Sequence, residues 1–253
     1  VRAIAQRLLG FGLSAERPLA ILSGNGLQHL QMALGAMYAG IPYCPVSPAY
    51  SLLSQDHAKL RHVCDLLQPG LLFVDNAAPY QRAIDAVMAA DVPVITVRGE
   101  VAGRPNIDFA SLLAEPGGAE AQAAFAATGP DTIAKFLFTS GSTKLPKAVV
   151  TTQRMLCANQ QMLLQTFPVF GEEPPVLVDW LPWNHTFGGS HNLGIVLYNG
   201  GTFYLDDGKP TPQGMAETLR NLREISPTAY LTVPKGWEEL VNALEQDAGL
   251  RES

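Results

Sequence analysis

FLFTSGSTKLPKAVVTTQ, residues 136–153, sets Ser and Thr hydroxyls, one Gly and two Lys behind an apolar run that begins at Ile133 and holds Lys135 within it. Such a run, ending in turn-forming residues, reads as a buried strand over 133–138, then a polar loop over 139–150 and a helix from about 152. Strand, loop and helix in that order belong to a parallel βαβ unit, and open α/β sheets bind ligands beyond the carboxyl ends of their strands. The loop suits one ligand chemistry. Thr139, Ser140, Ser142 and Thr143 offer hydroxyl donors, Gly141 lets backbone N–H groups approach an anion, and Lys147 adds a positive point charge. This is a set for gripping phosphate. It is not a Walker A loop, because Pro146 stands where the second Gly of that pattern belongs.

Outward from this stretch, short apolar runs alternate with helix-period segments. PLAILSG (18–24) reads as a strand, GLQHLQMALGAMYAG (26–40) as a helix, IPYCPVSPAY (41–50) as a loop and LLSQDHAKLRHVCDLLQ (52–68) as a helix. LLFVD (71–75) and VPVITV (92–97) are strands around the helical APYQRAIDAVMAA (78–90). Residues 99–130, rich in Gly, Ala and Pro, read as an exposed connection with one short helix. The expected division follows: a first α/β subdomain over 1–115 and a second, carrying the phosphate loop, over 116–253. After the loop come a helix at 153–167, a strand at 175–182, a helix at 188–201 and a strand at 202–205. A helix at 211–226, a strand PTAYLTVP (227–234) and a helix at 235–247 complete the series. The expected fold class is α/β, with parallel βαβ sheets flanked by helices. VRAIAQRLL opens already in helical period and WEELVNALEQDAGLRES fades without a following element, so each subdomain is expected to be incomplete at its outer end.

The 253 residues are 47% hydrophobic and 16% charged, a globular composition with room for a sizeable core. A net charge of −6 without a Lys/Arg cluster argues against nucleic acid or an anionic membrane as partner. No leader segment and no bilayer-length apolar run is evident, and a cytoplasmic protein is expected. Cys44, Cys64 and Cys157 form no closed disulfide set and read as free thiols. His57/His62 and His185/His191 miss the i, i+4 spacing of two ligands on one helical face, so no metal site is assigned.

FTSGSTKLPKAVVTTQ resembles the phosphate-binding loop of the adenylate-forming superfamily, which comprises acyl-CoA synthetases, luciferases and peptide-synthetase adenylation domains. That loop is commonly (Tyr/Phe)-Thr-Ser-Gly-(Ser/Thr)-Thr-Gly-x-Pro-Lys-Gly-Val. Thr139, Ser140, Gly141, Ser142, Thr143, Pro146 and Lys147 match, while Lys144 and Ala148 replace Gly. LPWNHTFGG (181–189) resembles the superfamily's Leu/Met-Pro-x-x-His-x-x-Gly through Leu181, Pro182, His185 and Gly188. The two replacements and LPWNHTFGG together are most similar to the feruloyl-CoA synthetase branch.

The resemblance implies the N-terminal portion of an ATP-dependent acid–thiol ligase. Thr139, Ser140, Gly141, Ser142, Thr143 and Lys147 would hold the ATP phosphates. Trp183, His185, Phe187 and Gly188 would line the acyl pocket, with His185 near the meeting point of carboxylate and nucleotide. A carboxylic acid, a hydroxycinnamic acid such as ferulate, would be the substrate, with Mg²⁺ accompanying ATP and coenzyme A as co-substrate. The superfamily's Gly-Tyr-Gly-x-Thr-Glu segment, ribose-holding Asp and lid Lys have no counterpart in these residues. No catalytic residue is therefore assigned, and the chain alone is expected to be inactive. The alternative is a non-catalytic nucleotide-binding module or another ATP-dependent adenylating enzyme. Trp183 and Phe187 also fit a plain role as core aromatics, and DDGKP (206–210) reads as a strand-ending turn.

Overall fold

A computed structural model describes residues 1–139 and 145–246 of the protein. The chain divides into two compact units, Val1–Met155 and Leu156–Ser253. In the first unit seven strands make one sheet. They are β1 (Leu19–Ile21), β2 (Tyr43–Pro45), β3 (Leu71–Asn76), β4 (Val94–Arg98), β5 (Asn106–Asp108), β6 (Ile133–Thr139) and β7 (Lys147–Thr152). Their order is β5-β4-β3-β1-β2-β6-β7, and every neighbouring pair is parallel except β6 and β7. Read backwards from β2, the first five follow a doubly wound order. Because β6 pairs parallel with β2, its carboxyl end at Thr139 shares an edge with the carboxyl ends of β1–β5.

Both faces of the sheet's central strands are covered, which is why these carry continuous apolar runs rather than alternation. Leu19, Ile21, Leu71, Phe73 and Ile95 pack with residues of helices Arg2–Leu9 and Leu27–Tyr38. Ala20, Leu22, Leu72, Val74 and Val94 pack on the other face with residues of helices Ala58–Leu67 and Ala77–Val87. Lys135 is the exception within β6. It is 1% exposed, its Nζ lies 5.9 Å from the ring centroid of Tyr43 in β2, and burial brings its pKa down to about 8.

Several expectations are corrected here. The unit boundary lies after residue 155 rather than after 115, since β6 and β7 extend the same sheet as β1–β5. Residues 41–50, read as loop, contain β2, and Cys44 is buried in that strand. The helix expected over 52–68 forms only over Ala58–Leu67, and a short helix, Pro48–Leu52, precedes it. Between them Ser54 Oγ accepts from His57 N (3.0 Å), Asp56 Oδ1 accepts from Ala58 N (3.1 Å), and His57 turns left-handed at φ 52°. The 99–130 connection contributes β5 to the sheet as well as the helix Ala119–Ala127.

The second unit holds a two-stranded parallel sheet, β8 (Val176–Asp179) with β9 (Thr202–Leu205). Phe170, Leu177, Ile195 and Val196 form its core, with Leu163, Leu164, Phe203 and Leu231 packed against them. Helices Pro212–Glu224 and Pro234–Gln246 follow, and the long helix Gln153–Thr166 begins just before the division between units. The strand expected over 227–234 does not form. Thr228 N donates to Val176 O (2.8 Å) at its start, but Val176 N is taken by the Thr228 hydroxyl (3.0 Å) and the Leu231 carbonyl by the Asn192 side chain (3.3 Å). With Pro227 and Pro234 bracketing it, no ladder can grow. Among the described residues no helix is long and apolar enough to cross a membrane.

Candidate functional site

In the first unit the stretch expected to grip phosphate connects two antiparallel strands, not a strand and a helix. Residues 147–152 are the strand β7, antiparallel to β6 with register Phe136↔Val150, Leu137↔Val149, Phe138↔Ala148 and Thr139↔Lys147. Ala148-Val149-Val150-Thr151-Thr152 is rich in β-branched residues, which favour a pleated strand. Its short apolar run, Ala148-Val149-Val150, is exposed and follows directly on the polar residues, which hid it as a strand. Thr139 and Lys147 form the last register pair, both exposed, so a hydroxyl and a cation meet at the carboxyl edge of the sheet. Ser140, Gly141, Ser142 and Thr143, with Lys144, lie outside the described residues.

Just beyond the ladder Pro146 is buried, and its carbonyl accepts a hydrogen bond from Nε2 of His62 at 2.9 Å. His62 sits on the helix Ala58–Leu67, whose Leu60, Val63, Cys64 and Leu67 are buried. A carbonyl only accepts, so Nε2 carries the proton. Sequence reasoning weighed His62 only as a metal ligand. Its actual partner is 84 residues away, which no spacing rule reveals.

In the second unit the segment 181–189 folds as a tight turn at the carboxyl end of β8. Asp179 is 2% exposed and pins the turn, its Oδ1 accepting from Leu181 N (2.8 Å) and its Oδ2 from Asn192 Nδ2 (3.0 Å). Burial is the largest influence on this carboxyl, outweighs those hydrogen bonds and raises its pKa to about 6. His185 N donates to Pro182 O (3.1 Å) and Gly189 N to His185 O (2.9 Å), leading into a π-helical stretch, Phe187–Asn192. The glycines are required by close approach. A Cβ on Gly188 would stand 2.5 Å from the Leu181 carbonyl oxygen, and one on Gly189 would stand 2.1 Å from that of Trp183. The wider π turn frees carbonyls, and Gln160 Nε2 donates to those of Ser190 (3.0 Å) and His191 (3.4 Å).

The four residues expected to line an acyl pocket differ in setting. His185 is exposed and Phe187 half-buried, with its ring 5.3 Å from that of His191. Gly188 is buried in the turn. Trp183 is 4% exposed and meets Phe203 of β9 edge-on at 6.0 Å, so it backs the turn from the core. Asp206, in the strand-ending turn after β9, accepts from Gly208 N (3.0 Å), Thr218 Oγ1 (2.6 Å) and Asn221 Nδ2 (2.8 Å). Asp179, Asn192 and Gln160 were not anticipated. An Asp closing the apolar run Val-Leu-Val was the available signal for the first.

The model of the AMP-binding enzyme family matches residues 1–252. An octahydroindenyl-propanoyl:CoA ligase from Rhodococcus jostii is 28% identical over 211 residues, which are 80% of this chain and 40% of that protein. Among solved structures, ATP-bound MatB from Rhodopseudomonas palustris aligns with a TM-score of 0.69 at 22% identity, covering 94% of this chain and 43% of that one. The o-succinylbenzoate CoA synthetase of Bacillus subtilis, in complex with its acyl-adenylate intermediate, aligns with a TM-score of 0.69 at 17% identity, over 97% of this chain and 56% of that one. The chain thus spans about half, or less, of each of these proteins, and shares the fold of the two solved structures over that span.

Proposed function

Because the chain belongs to the AMP-binding enzyme family, we propose that it forms the nucleotide- and acid-binding portion of an ATP-dependent acid–thiol ligase. In the first half-reaction a carboxylate oxygen attacks the α-phosphorus of ATP, the bond to the β-phosphate oxygen breaks, and pyrophosphate leaves. In the second, the thiol of coenzyme A attacks the acyl carbon of the adenylate and AMP leaves. The observation that carries the reading is the pairing of exposed Lys147 with Thr139 at the carboxyl edge of β6, flanking residues 140–144. Lys147 stabilises charge gathering on the phosphoryl oxygens, with Thr139, Ser140, Gly141, Ser142 and Thr143 as hydrogen-bond donors. Relatives named as a CoA ligase, an ATP-bound protein and an acyl-adenylate complex are consistent with this chemistry. The resemblance also implies Mg²⁺. Among the described residues no three His, Cys, Asp or Glu side chains come together to hold a metal, and Mg²⁺ is given no step here.

The acyl end is assigned to the turn of the second unit. His185 and Phe187 present the accessible side chains, Gly188 gives the close approach, and Trp183 supports them from behind. A flat aromatic acid suits ring-walled surroundings, and the likeness of LPWNHTFGG to feruloyl-CoA synthetases points to a hydroxycinnamic acid, ferulate first. ATP–pyrophosphate exchange by the protein as its gene encodes it, with ferulate, benzoate, acetate and palmitate compared by kcat/KM, tests both levels. Ferulate is expected to lead. Acetate or palmitate in front overturns the substrate assignment, and exchange that ignores every acid overturns the adenylation.

A further inference from the structure

We propose that His62 is a positioning residue for Lys147, acting through the Pro146 carbonyl; the inference rests on the phosphate role proposed for Lys147. The Pro146 carbonyl and the Lys147 N–H belong to one planar peptide unit, so holding the first fixes the direction of the second. That unit lies at the connection end of the hairpin, since Thr139↔Lys147 is the last register pair before the chain leaves the ladder. Pro146 has no N–H with which to extend the ladder. The 2.9 Å bond from His62 Nε2 holds the carbonyl at this point.

Its anchor is stiff. Leu60 and Val63 on either side of His62 are fully buried in the core that covers one face of the sheet, together with Cys64 and Leu67. The helix therefore transmits the position of the sheet to the base of the phosphate-gripping connection. A lysine on a four-carbon stem samples many rotamers, and a fixed starting vector lowers the cost of bringing its ammonium onto a phosphate.

The test compares His62→Leu, His62→Asn and His62→Gln in the protein as its gene encodes it, by ATP–pyrophosphate exchange and thermal melting. His62→Leu is expected to lower kcat/KM for ATP roughly five- to tenfold, the effect of one neutral hydrogen bond, with the KM of the acid unchanged. The Gln carboxamide nitrogen reaches the place of Nε2 and restores the wild-type value. Asn reaches only the place of Nδ1 and behaves as Leu does while staying polar. In a Lys147→Ala background, His62→Leu adds no further loss. Wild-type kcat/KM for ATP in folded His62→Asn, equal losses for ATP and acid, or failure of Gln to rescue overturns the positioning role. Wild-type exchange in Lys147→Ala alone overturns instead the phosphate role on which it rests.

Discussion

Lys147 and Gly189 show how differently single residues bear on this protein. Lys147 is exposed at the end of an edge strand, so Lys147→Ala should leave the melting temperature close to wild type. Under the phosphate role proposed for it, the same change removes positive charge beside the transferring phosphoryl group and should slow adenylate formation roughly a hundred- to a thousandfold. Pyrophosphate exchange measures it, and a near wild-type rate would take Lys147 out of the site. Gly189 is the converse case. A Cβ there would meet the Trp183 carbonyl oxygen at 2.1 Å, a backbone atom that cannot swing aside. Gly189→Ala should cost about 1–3 kcal/mol through overpacking, read as a lowered urea midpoint, and should raise the KM of the acid because the turn carrying His185 must shift.

At the scale of elements, two buried titrating groups set opposed pH dependences. His29, on the helix Leu27–Tyr38, is 4% exposed, and its Nδ1–H donates to the Gly24 carbonyl (3.0 Å) with the Ser23 hydroxyl 3.1 Å from the same nitrogen. Burial above all lowers its pKa to about 4, from 6.5. Between those values the unfolded chain holds a proton the folded chain lacks, so stability rises with pH through about 4–6.5 and is lost as pH falls. Asp179, at the end of β8, has the opposite sign. Its pKa is raised from 3.8 to about 6, so the folded form holds the extra proton and stability falls as pH rises through that window. Urea unfolding of His29→Asn at several pH values should show the falling slope unmasked, and Asp179→Asn a steeper rise. Parallel curves for wild type and both variants would mean that neither group carries the effect.

For the molecule as a whole, the sheet of the first unit was legible because parallel, doubly covered strands must be continuous apolar runs. β1, β3, β4 and β6 are such runs. β2 escaped because Tyr43-Cys44-Pro45 is three residues long and flanked by further prolines, and β7 because it is an exposed edge strand with only three apolar residues in a row. The boundary was misplaced for the same reason. A Gly- and Ala-rich connection looks like a linker unless one knows that β6 docks on β2. In the candidate site, Lys147, Thr139 and His185 announced themselves by side-chain type. His62, Gln160 and Asn192 act by reaching a carbonyl or carboxylate 84, 30 and 13 residues away, and such reach is a property of the folded chain.

The division into units also decides what light can report. Trp180, Trp183 and Trp237, the chain's three tryptophans, all fall in Leu156–Ser253, and Val1–Met155 contains none. Indole emission is thus a private signal of the second unit, whereas far-ultraviolet circular dichroism sums the helices of both. Each unit has its own apolar core, so the two probes should give different denaturant midpoints, and the emission curve should carry the pH slope of Asp179 without that of His29. Superimposable curves would show instead that the two units melt as one.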